Sequence, residues 1–438
     1  MSSLVDLVRE AGVVGAGGAG FPTHVKIDAE VDTVIANGSE CEPLLHGDQH
    51  LMKAEPRRII EGLDAVVRHT GAERGVVGIK AKYVEAKTAL KEAMTGYERL
   101  EIFELQDFYP AGDELLVVYE VTGRVVPEGG IPLHVGTLVN NVETLYNVAN
   151  AIEGIPVTHK FVTVTGAVAK PLTMKLPVGT SYAEAIELAG GATVEDYVLL
   201  DGGPMMGKVV EDPSSPITKT TNGVLLLPRD HRWVRKLIVE DRTALKFSMI
   251  CCHCNMCTDI CPRNLLGHDI YPSRTMRAMA LSSVIDIGSY TNAFLCSECG
   301  LCDFICPLDL LPREVNVMLK RRLSEAGVKN PHRRSELKPS PFRDYRKVPT
   351  GRLLLSLGLR EFDSPAPMAD FQYEPEHVKI PLKQHIGAPA IPTVRVGQKV
   401  ELGQPIGEIP EGNLGARVHA SIPGTVVSVD ERFISIKR

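Results

Sequence analysis

The first part of the chain alternates between two hydrophobic periods. Val31 to Ala36 is an apolar run ending at the turn-forming pair Asn37-Gly38, as a buried strand would. Pro56 stands where a helix can begin, and Ile59, Ile60, Leu63, Val66 and Val67 recur at helical spacing. Gly75 to Ile79 predicts a second strand, Tyr83 to Met94 a helix, and Glu101 to Leu105 a third strand. Strands alternating with helices predict a parallel sheet with covered faces, an α/β domain over residues 1–155.

From Phe161 the pattern changes. Phe161 to Gly166 alternates and ends in glycine, Thr173 to Leu176 follows as a strand, and Tyr182 to Leu188 has the look of one short helix. A small sheet with one helix predicts a β-grasp-like unit over 156–228. Helical stretches enclose a cysteine-rich region at 240–325, and a Pro- and Arg-rich linker is expected over 326–378. Residues 379–438 hold short β-prone runs, among them Val394 to Val396, Arg417 to Ala420 and Gly424 to Val429, which suit a small barrel or sandwich. The fold class is multidomain, α/β joined to α+β.

Composition narrows the function classes. A chain of 438 residues exceeds one compact core, and 23% charged with 44% hydrophobic residues is the balance of a globular protein. The net charge of −6 gives no reason to expect a nucleic-acid partner; Lys320-Arg321-Arg322 and His332-Arg333-Arg334 fit solvated helix faces. No apolar stretch approaches the roughly 20 residues that cross a bilayer. Met1 to Glu10 lacks the basic-then-apolar order of a signal peptide. The expectation is a cytoplasmic protein that is not membrane-embedded.

Nine of the ten cysteines fall between Cys251 and Cys306, and Cys41 stands apart. Disulfides would be spread through a small secreted fold, so this crowding points to metal. Cys251, Cys254, Cys257 and Cys261-Pro262 follow C-x2-C-x2-C-x3-C-P, and Cys296, Cys299, Cys302 and Cys306-Pro307 repeat it. In that run three thiolates wrap one cubane and the fourth turns away to the other cluster. One 4Fe–4S set is then Cys251, Cys254, Cys257 and Cys306; the second is Cys296, Cys299, Cys302 and Cys261. Structural zinc also uses paired CxxC motifs, but does not need three evenly spaced cysteines plus Cys-Pro twice. Cys252 and His253 are expected as spectators, Cys252 as a small buried hydrophobe.

Gly15-Ala16-Gly17-Gly18-Ala19-Gly20 satisfies the bare G-x-G-x-x-G pattern, but Leu4 to Ala11 before it is helical in character and Pro22 interrupts a helix after it. A Rossmann fingerprint needs a strand before and a helix after. A loop this free of side chains still lets backbone N–H groups approach a phosphate or flat ring.

Four blocks carry a resemblance: Gly15 to Lys26, Asn37 to Pro43, Tyr109 to Glu114, and Val139 to Thr144. In this order they resemble the flavin- and NADH-binding subunit of respiratory complex I. The resemblance implies a Rossmann-like FMN domain in which Gly15, Gly17, Gly18, Gly20 and Lys26 hold FMN. It further implies that Asn37 and Glu40 contact the flavin and that Glu42 meets the nicotinamide end of NADH. Tyr109, Gly112, Asp113 and Glu114 complete the site, and Asn140, Asn141 and Thr144 lie near the FMN phosphate. Ala16, Ser39 and Asp113 replace the family's arginine, aspartate and glutamate, which alters the charge of the dinucleotide site.

A resemblance over nearly the whole chain is to the RnfC family, a component of the Rnf electron-transport complex. Gly202-Gly203-Pro204-Met205-Met206-Gly207 and Thr218 to Asn222 match the stretch after its ligand-binding β-grasp (SLBB-like) domain. An α-helical dicluster ferredoxin domain follows. A barrel-sandwich module comes last, as in the soluble branch that includes cobalamin reductases and proline-reductase electron-transfer proteins. That module resembles lipoyl domains but offers no lysine at a suitable turn, so a structural or docking role is expected. The implied function is an NADH-dependent oxidoreductase carrying electrons through FMN and two 4Fe–4S clusters to a corrinoid or a redox protein. The alternative is an electron-transfer component of a larger complex with no substrate of its own. A microcompartment or the surface of a membrane complex is the implied place of work. His24, His46 and His50 are expected to be packed or solvated.

Overall fold

The computed structural model describes residues 3–238, 249–281 and 287–438. Residues 240–248 and 282–286 of the expected cysteine region lie outside the described residues.

The first sheet holds β1 (Thr33–Gly38), β2 (Arg74–Lys80), β3 (Leu100–Leu105) and β5 (Thr137–Asn141) in the order β3-β2-β1-β5, all parallel. Strand β1 runs past the expected Asn37-Gly38 turn because both residues pair in the ladder with Gly78 and Ile79 of β2. The helix Pro56–His69 buries Ile59, Ile60, Leu63, Val66 and Val67, the five positions that repeat at helical spacing. It crosses the helix Val142–Ile152 so closely that a Cβ at Gly62 would overlap the Leu145 carbonyl oxygen.

The second sheet contains β6 (His159–Gly166), β7 (Leu172–Pro177), β8 (Tyr197–Asp201), β9 (Lys208–Val210) and β10 (Gly223–Pro228), ordered β7-β6-β10-β8-β9. Its central pair, β6 and β10, is parallel; the outer pairings are antiparallel. The helix Tyr182–Leu188 lies against it and starts at a capping box of Ser181 and Glu184, which satisfies two otherwise unpaired N–H groups.

The segment read as a linker carries structure of its own. Here β11 (Val348–Pro349) adds antiparallel to β4 (Phe108–Tyr109), and the helix Thr350–Leu357 buries Leu353, Leu354 and Leu357. These leucines share a core with Tyr109, Trp233, Cys299 and Leu301, so the segment packs the cysteine region against both sheets.

The final module pairs two antiparallel sheets. One is ordered β12-β18-β17-β14 (His377–Pro381, Phe433–Lys437, Gly424–Val429, Lys399–Val400), the other β13-β15-β16 (Ile391–Pro392, Pro405–Glu408, Val418–His419). Val394–Val396 is not a strand: Gly397 at φ +84° turns the chain just beyond it, and Val396 is exposed. Among the described residues no helix is long and apolar enough to cross a membrane.

Gly62→Ala tests the helix crossing. The new methyl must push two packed backbones apart, so the variant should lose about 2 kcal/mol of stability in a denaturant melt; an unchanged midpoint would show that the crossing has slack.

Candidate functional site

In open parallel sheets a ligand crevice lies beyond the strand carboxyl ends, where the strand order reverses. Here β1 is flanked by β2 on one side and β5 on the other, so that point falls between the ends of β1 and β5. The chain after Gly38, the start of the helix Val142–Ile152 and the glycine loop all meet there.

The glycine loop is closed on itself. Val14 bridges Pro22, the Gly15 N–H donates to the Phe21 carbonyl, and the Gly20 N–H donates to the Gly15 carbonyl. Gly18 and Gly20 have φ of +103° and +66°, a region that favours glycine. The Ala16 N–H donates to Thr144 Oγ1 at 2.9 Å, which lays the loop across the N-terminus of the helix Val142–Ile152. The preceding segment, Leu4–Glu10, is a helix, so the loop is not a strand-to-helix turn.

Several residues expected to touch cofactor are already engaged in shaping the cleft. Asn37 Nδ2 donates to the Gly112 carbonyl at 2.9 Å, and its oxygen accepts from the Ser39 N–H. Asn141 caps the helix Val142–Ile152 and donates to Asp48 at 2.7 Å. Asp113 caps the helix Glu114–Thr122 and pairs with Arg263 at 2.8 Å. Lys26 pairs with Glu114 at 2.7 Å. By contrast Asn140 Nδ2 and Ser39 Oγ are buried without a partner among the described residues. Unpaired buried polar atoms are costly and call for an explanation. Together with the side-chain-free loop they fit a flat cofactor bearing carbonyls and a phosphate.

The floor of the cleft is rich in carboxylates, of which Asp48 and Glu143 carry no signal in the sequence. Glu143 pairs with Lys160, both buried, while Asp48 and Glu40 lie close by. Burial raises the Glu40 carboxyl to about 7, and burial followed by the charges of Glu40 and Glu143 raises Asp48. Lys160, and Lys80 on the Glu40 side, are outnumbered by these three buried carboxylates, so this floor retains a proton near neutrality. Of the three histidines, His50 meets the Pro365 carbonyl at 3.0 Å, and burial lowers the pKa of His24 and His46.

Glu42 ties the site together. Its Oε2 accepts from the Met205 N–H at 3.0 Å, and Oε1 accepts from the Tyr109 hydroxyl at 3.3 Å. That hydroxyl also lies 2.7 Å from the Cys299 carbonyl, and Trp233 Nε1 donates to the Pro204 carbonyl at 2.8 Å. A Cβ at Gly203 would collide with the Glu42 carboxylate, so the Gly202 to Gly207 block is a turn that only glycine allows to close over Glu42. Burial raises Glu42 to about 7, although some solvent reaches it through the cleft.

The thiols gather in two groups, each drawing on both runs. Cys251, Cys254, Cys257 and Cys306 line one narrow recess with Met276, Pro307 and Leu310. Cys261 is a neighbour of Cys296, and it adds with Cys296 to the charge felt by Cys299 and Cys302. Burial pushes Cys257 and Cys261 up to about 12, so as free groups they would be protonated; a bound cationic centre reverses that. Among the described residues no group of three or more His, Cys, Asp or Glu is set for a single ion. The thiols ring their recess instead. Cys252 corrects the expectation of a buried hydrophobe: it is exposed, because His253 and Asn255 at φ +60° and +66° turn this loop outward.

Comparison with known proteins agrees with these four units. The chain matches the Nuo51 FMN-binding domain over 8–150, the SLBB domain over 161–209, the 4Fe-4S dicluster domain over 250–311 and the RnfC barrel sandwich hybrid domain over 360–437. It is 42% identical to the cobalamin reductase PduS of Citrobacter freundii, over 98% of this chain and 95% of that protein. It is 35% identical to the RnfC-type component of the Na(+)-translocating ferredoxin:NAD(+) oxidoreductase complex of Acetobacterium woodii, over 62% of this chain and 60% of that one. An air-oxidised NAD+-reducing [NiFe]-hydrogenase chain is similar in fold, with a TM-score of 0.50 at 21% identity, over 83% of this chain and 67% of that one.

The interleaving has a direct test. Cys306→Ala and Cys251→Ala should leave one and the same residual paramagnetic signal after reduction, and Cys261→Ala and Cys296→Ala the other. Pairing of Cys306→Ala with Cys296→Ala would mean that each run closes its own set.

Glu42 gives a pH prediction. Its proton is held to about 7 when folded but only to the ordinary 4.5 when unfolded, so its stability contribution is full below 4.5 and is lost as pH rises to about 7. Glu42→Gln should remove that fall, at most about 3 kcal/mol and less for the solvent in the cleft. Thermal melts of both proteins from pH 5 to 8 check it, and parallel curves would disprove the raised value.

Proposed function

The chain belongs to the RnfC-like family, in the branch of the cobalamin reductase PduS, and from that premise we propose an NADH-dependent flavoprotein that delivers electrons to a corrinoid. FMN and two 4Fe–4S clusters are its cofactors, with NADH as donor. When bound, the flavin converts the two-electron hydride chemistry of NADH into single-electron transfers that the clusters pass on.

The observation that carries this reading is the chain of contacts from Met205 through Glu42 and Tyr109 to Cys299. It ties the cleft to the Cys261, Cys296, Cys299 and Cys302 set through one buried tyrosine. The Arg263–Asp113 pair makes a second tie, since Arg263 follows Cys261-Pro262 and Asp113 starts the helix at the cleft edge. Electron transfer weakens steeply with distance, so these thiols would hold the cluster placed nearest the cleft. The Cys251 set, whose Cys254 is exposed and which has exposed Cys252 beside it, then faces the exterior.

We assign Gly15, Gly17, Gly18 and Gly20 to backbone contacts with FMN, Lys26 to its charge, and Asn140 to a hydrogen bond that its unpartnered Nδ2 can supply. Asn37, Gly112, Asp113, Asn141 and Thr144 hold the cleft walls in place, and Glu40 and Glu114 complete its polar lining. Glu42 orients the nicotinamide. Its raised pKa leaves it able to donate as well as accept near neutrality. No general base is required, because hydride transfer takes no proton from the protein. Rossmann-like for the parallel sheet and β-grasp for the mixed sheet are the fold names that go with this reading. So does a cytoplasmic place of work, free or inside a microcompartment.

The test uses anaerobically purified, cofactor-loaded protein. NADH should reduce cob(III)alamin to cob(II)alamin, followed by cobalt absorbance. Dye reduction without cobalamin reduction would refute the corrinoid acceptor and leave an electron-transfer component that serves a redox protein.

A further inference from the structure

A recess separate from the cleft opens between the two cysteine runs. It is an open recess of about 260 Å³, room for the edge of a large ring rather than for a whole enclosed cofactor. Met256 and Ile260 line it from the short stretch around Cys257 and Cys261, and Phe304 and Ile305 from the stretch between Cys302 and Cys306. Its wall is therefore built from residues that neighbour the ligands of both thiol sets.

The opposite wall comes from the segment that clamps the domains together. Val348 extends the apolar floor, and Arg346, Lys347 and Arg352 make a cationic rim with Tyr345, which is 88% exposed. Arg346 is already paired with Asp259, and Lys347 with Glu120 and Asp344. Arg352 is exposed on the helix Thr350–Leu357 and has no ionic partner among the described residues. With Arg346 and Lys347 balanced by these carboxylates, Arg352 supplies the uncompensated positive charge of the rim. An apolar floor under a free guanidinium suits a large flat ring that carries a phosphate.

We propose that this recess is the docking site of the acceptor, a corrinoid whose ring edge lies on Ile260 and Phe304 and whose phosphodiester tail meets Arg352. The proposal rests on the corrinoid reading above and adds the place of binding. The electron balance is complete with the donor already assigned. One NADH gives NAD+, one proton and two electrons; two aquocob(III)alamins each take one electron and lose their axial water as they become cob(II)alamin. Each cobalt would then sit beside the thiol sets from which its electron comes.

Equilibrium dialysis of the oxidised, cofactor-loaded protein against aquocobalamin and against cobinamide, which has the ring but no nucleotide tail, tests the site. Arg352→Glu should weaken cobalamin binding by roughly tenfold or more and leave cobinamide binding unchanged. Arg395→Glu, a charge reversal on the exposed surface of the barrel module, should change neither. Tyr345→Ala should weaken both ligands alike, because it removes ring contact. Equal cobalamin affinity in wild type and Arg352→Glu would overturn the location while leaving the corrinoid reading intact. Absence of cobalamin binding by wild-type protein that still oxidises NADH with a dye would overturn both. Loss of electron delivery to an acidic redox protein in Arg352→Glu, with cobalamin binding untouched, would make the recess a protein dock and refute the proposal.

Discussion

The rest of the structure depends on keeping a flavin cleft and a set of cluster thiols within electron-transfer distance, although they lie in parts of the chain more than a hundred residues apart. The Tyr109 hydroxyl meets this constraint by touching both Glu42 and the Cys299 carbonyl. Its burial excludes water from the junction, which strengthens each hydrogen bond and penalises any loss of a partner. The mixed sheet contributes through Met205 and the glycine turn at Gly203, so three of the units meet around one carboxylate. Their relative placement is thus specified by a few polar contacts set in the shared core around Trp233 and Leu301.

The cleft itself is an electrostatic compromise. The family arginine that Ala16 replaces would have added a positive charge, yet the floor keeps Glu40, Asp48 and Glu143 around Lys160, with Lys80 acting only from the Glu40 side. A protonated carboxyl is the cheapest way to hold such a cluster out of water. The cleft therefore carries less positive charge than the complex I resemblance implies.

The segment over 326–378 changes the picture of how the domains are coupled. A proline- and arginine-rich composition suggested a spacer, but three of its arginines are held by fixed partners. Buried Arg343 pairs with Glu120, Arg334 with Glu128, and Arg346 with Asp259. With β11 added to β4 it acts as a strap across the α/β domain and the cysteine region. The same strap makes one wall of the recess between the thiol sets, so a feature that looks like connecting chain also shapes a surface.

Local chemistry was legible without coordinates. Cysteine spacing is dictated by the wrapping of one cluster by a tight loop, and the helix Tyr182–Leu188 and strand Gly424–Val429 follow from periodicity alone. The glycine loop announced itself by four glycines in six residues, two of which, Gly18 and Gly20, take a positive φ that favours glycine. What the sequence could not decide was every contact that joins distant segments. Asp48, Lys160 and Arg263 carry no local signal, and the caps and pairs that Asp113 and Asn141 make are not written in the sequence. The extension of β1 through Asn37-Gly38 and the exposure of Cys252 were set by neighbours, not by propensity. Hydrophobic period and ligand spacing act over a few residues and are written in order along the chain. Burial, charge balance and the fit of one domain on another arise only when segments far apart in sequence share the same space.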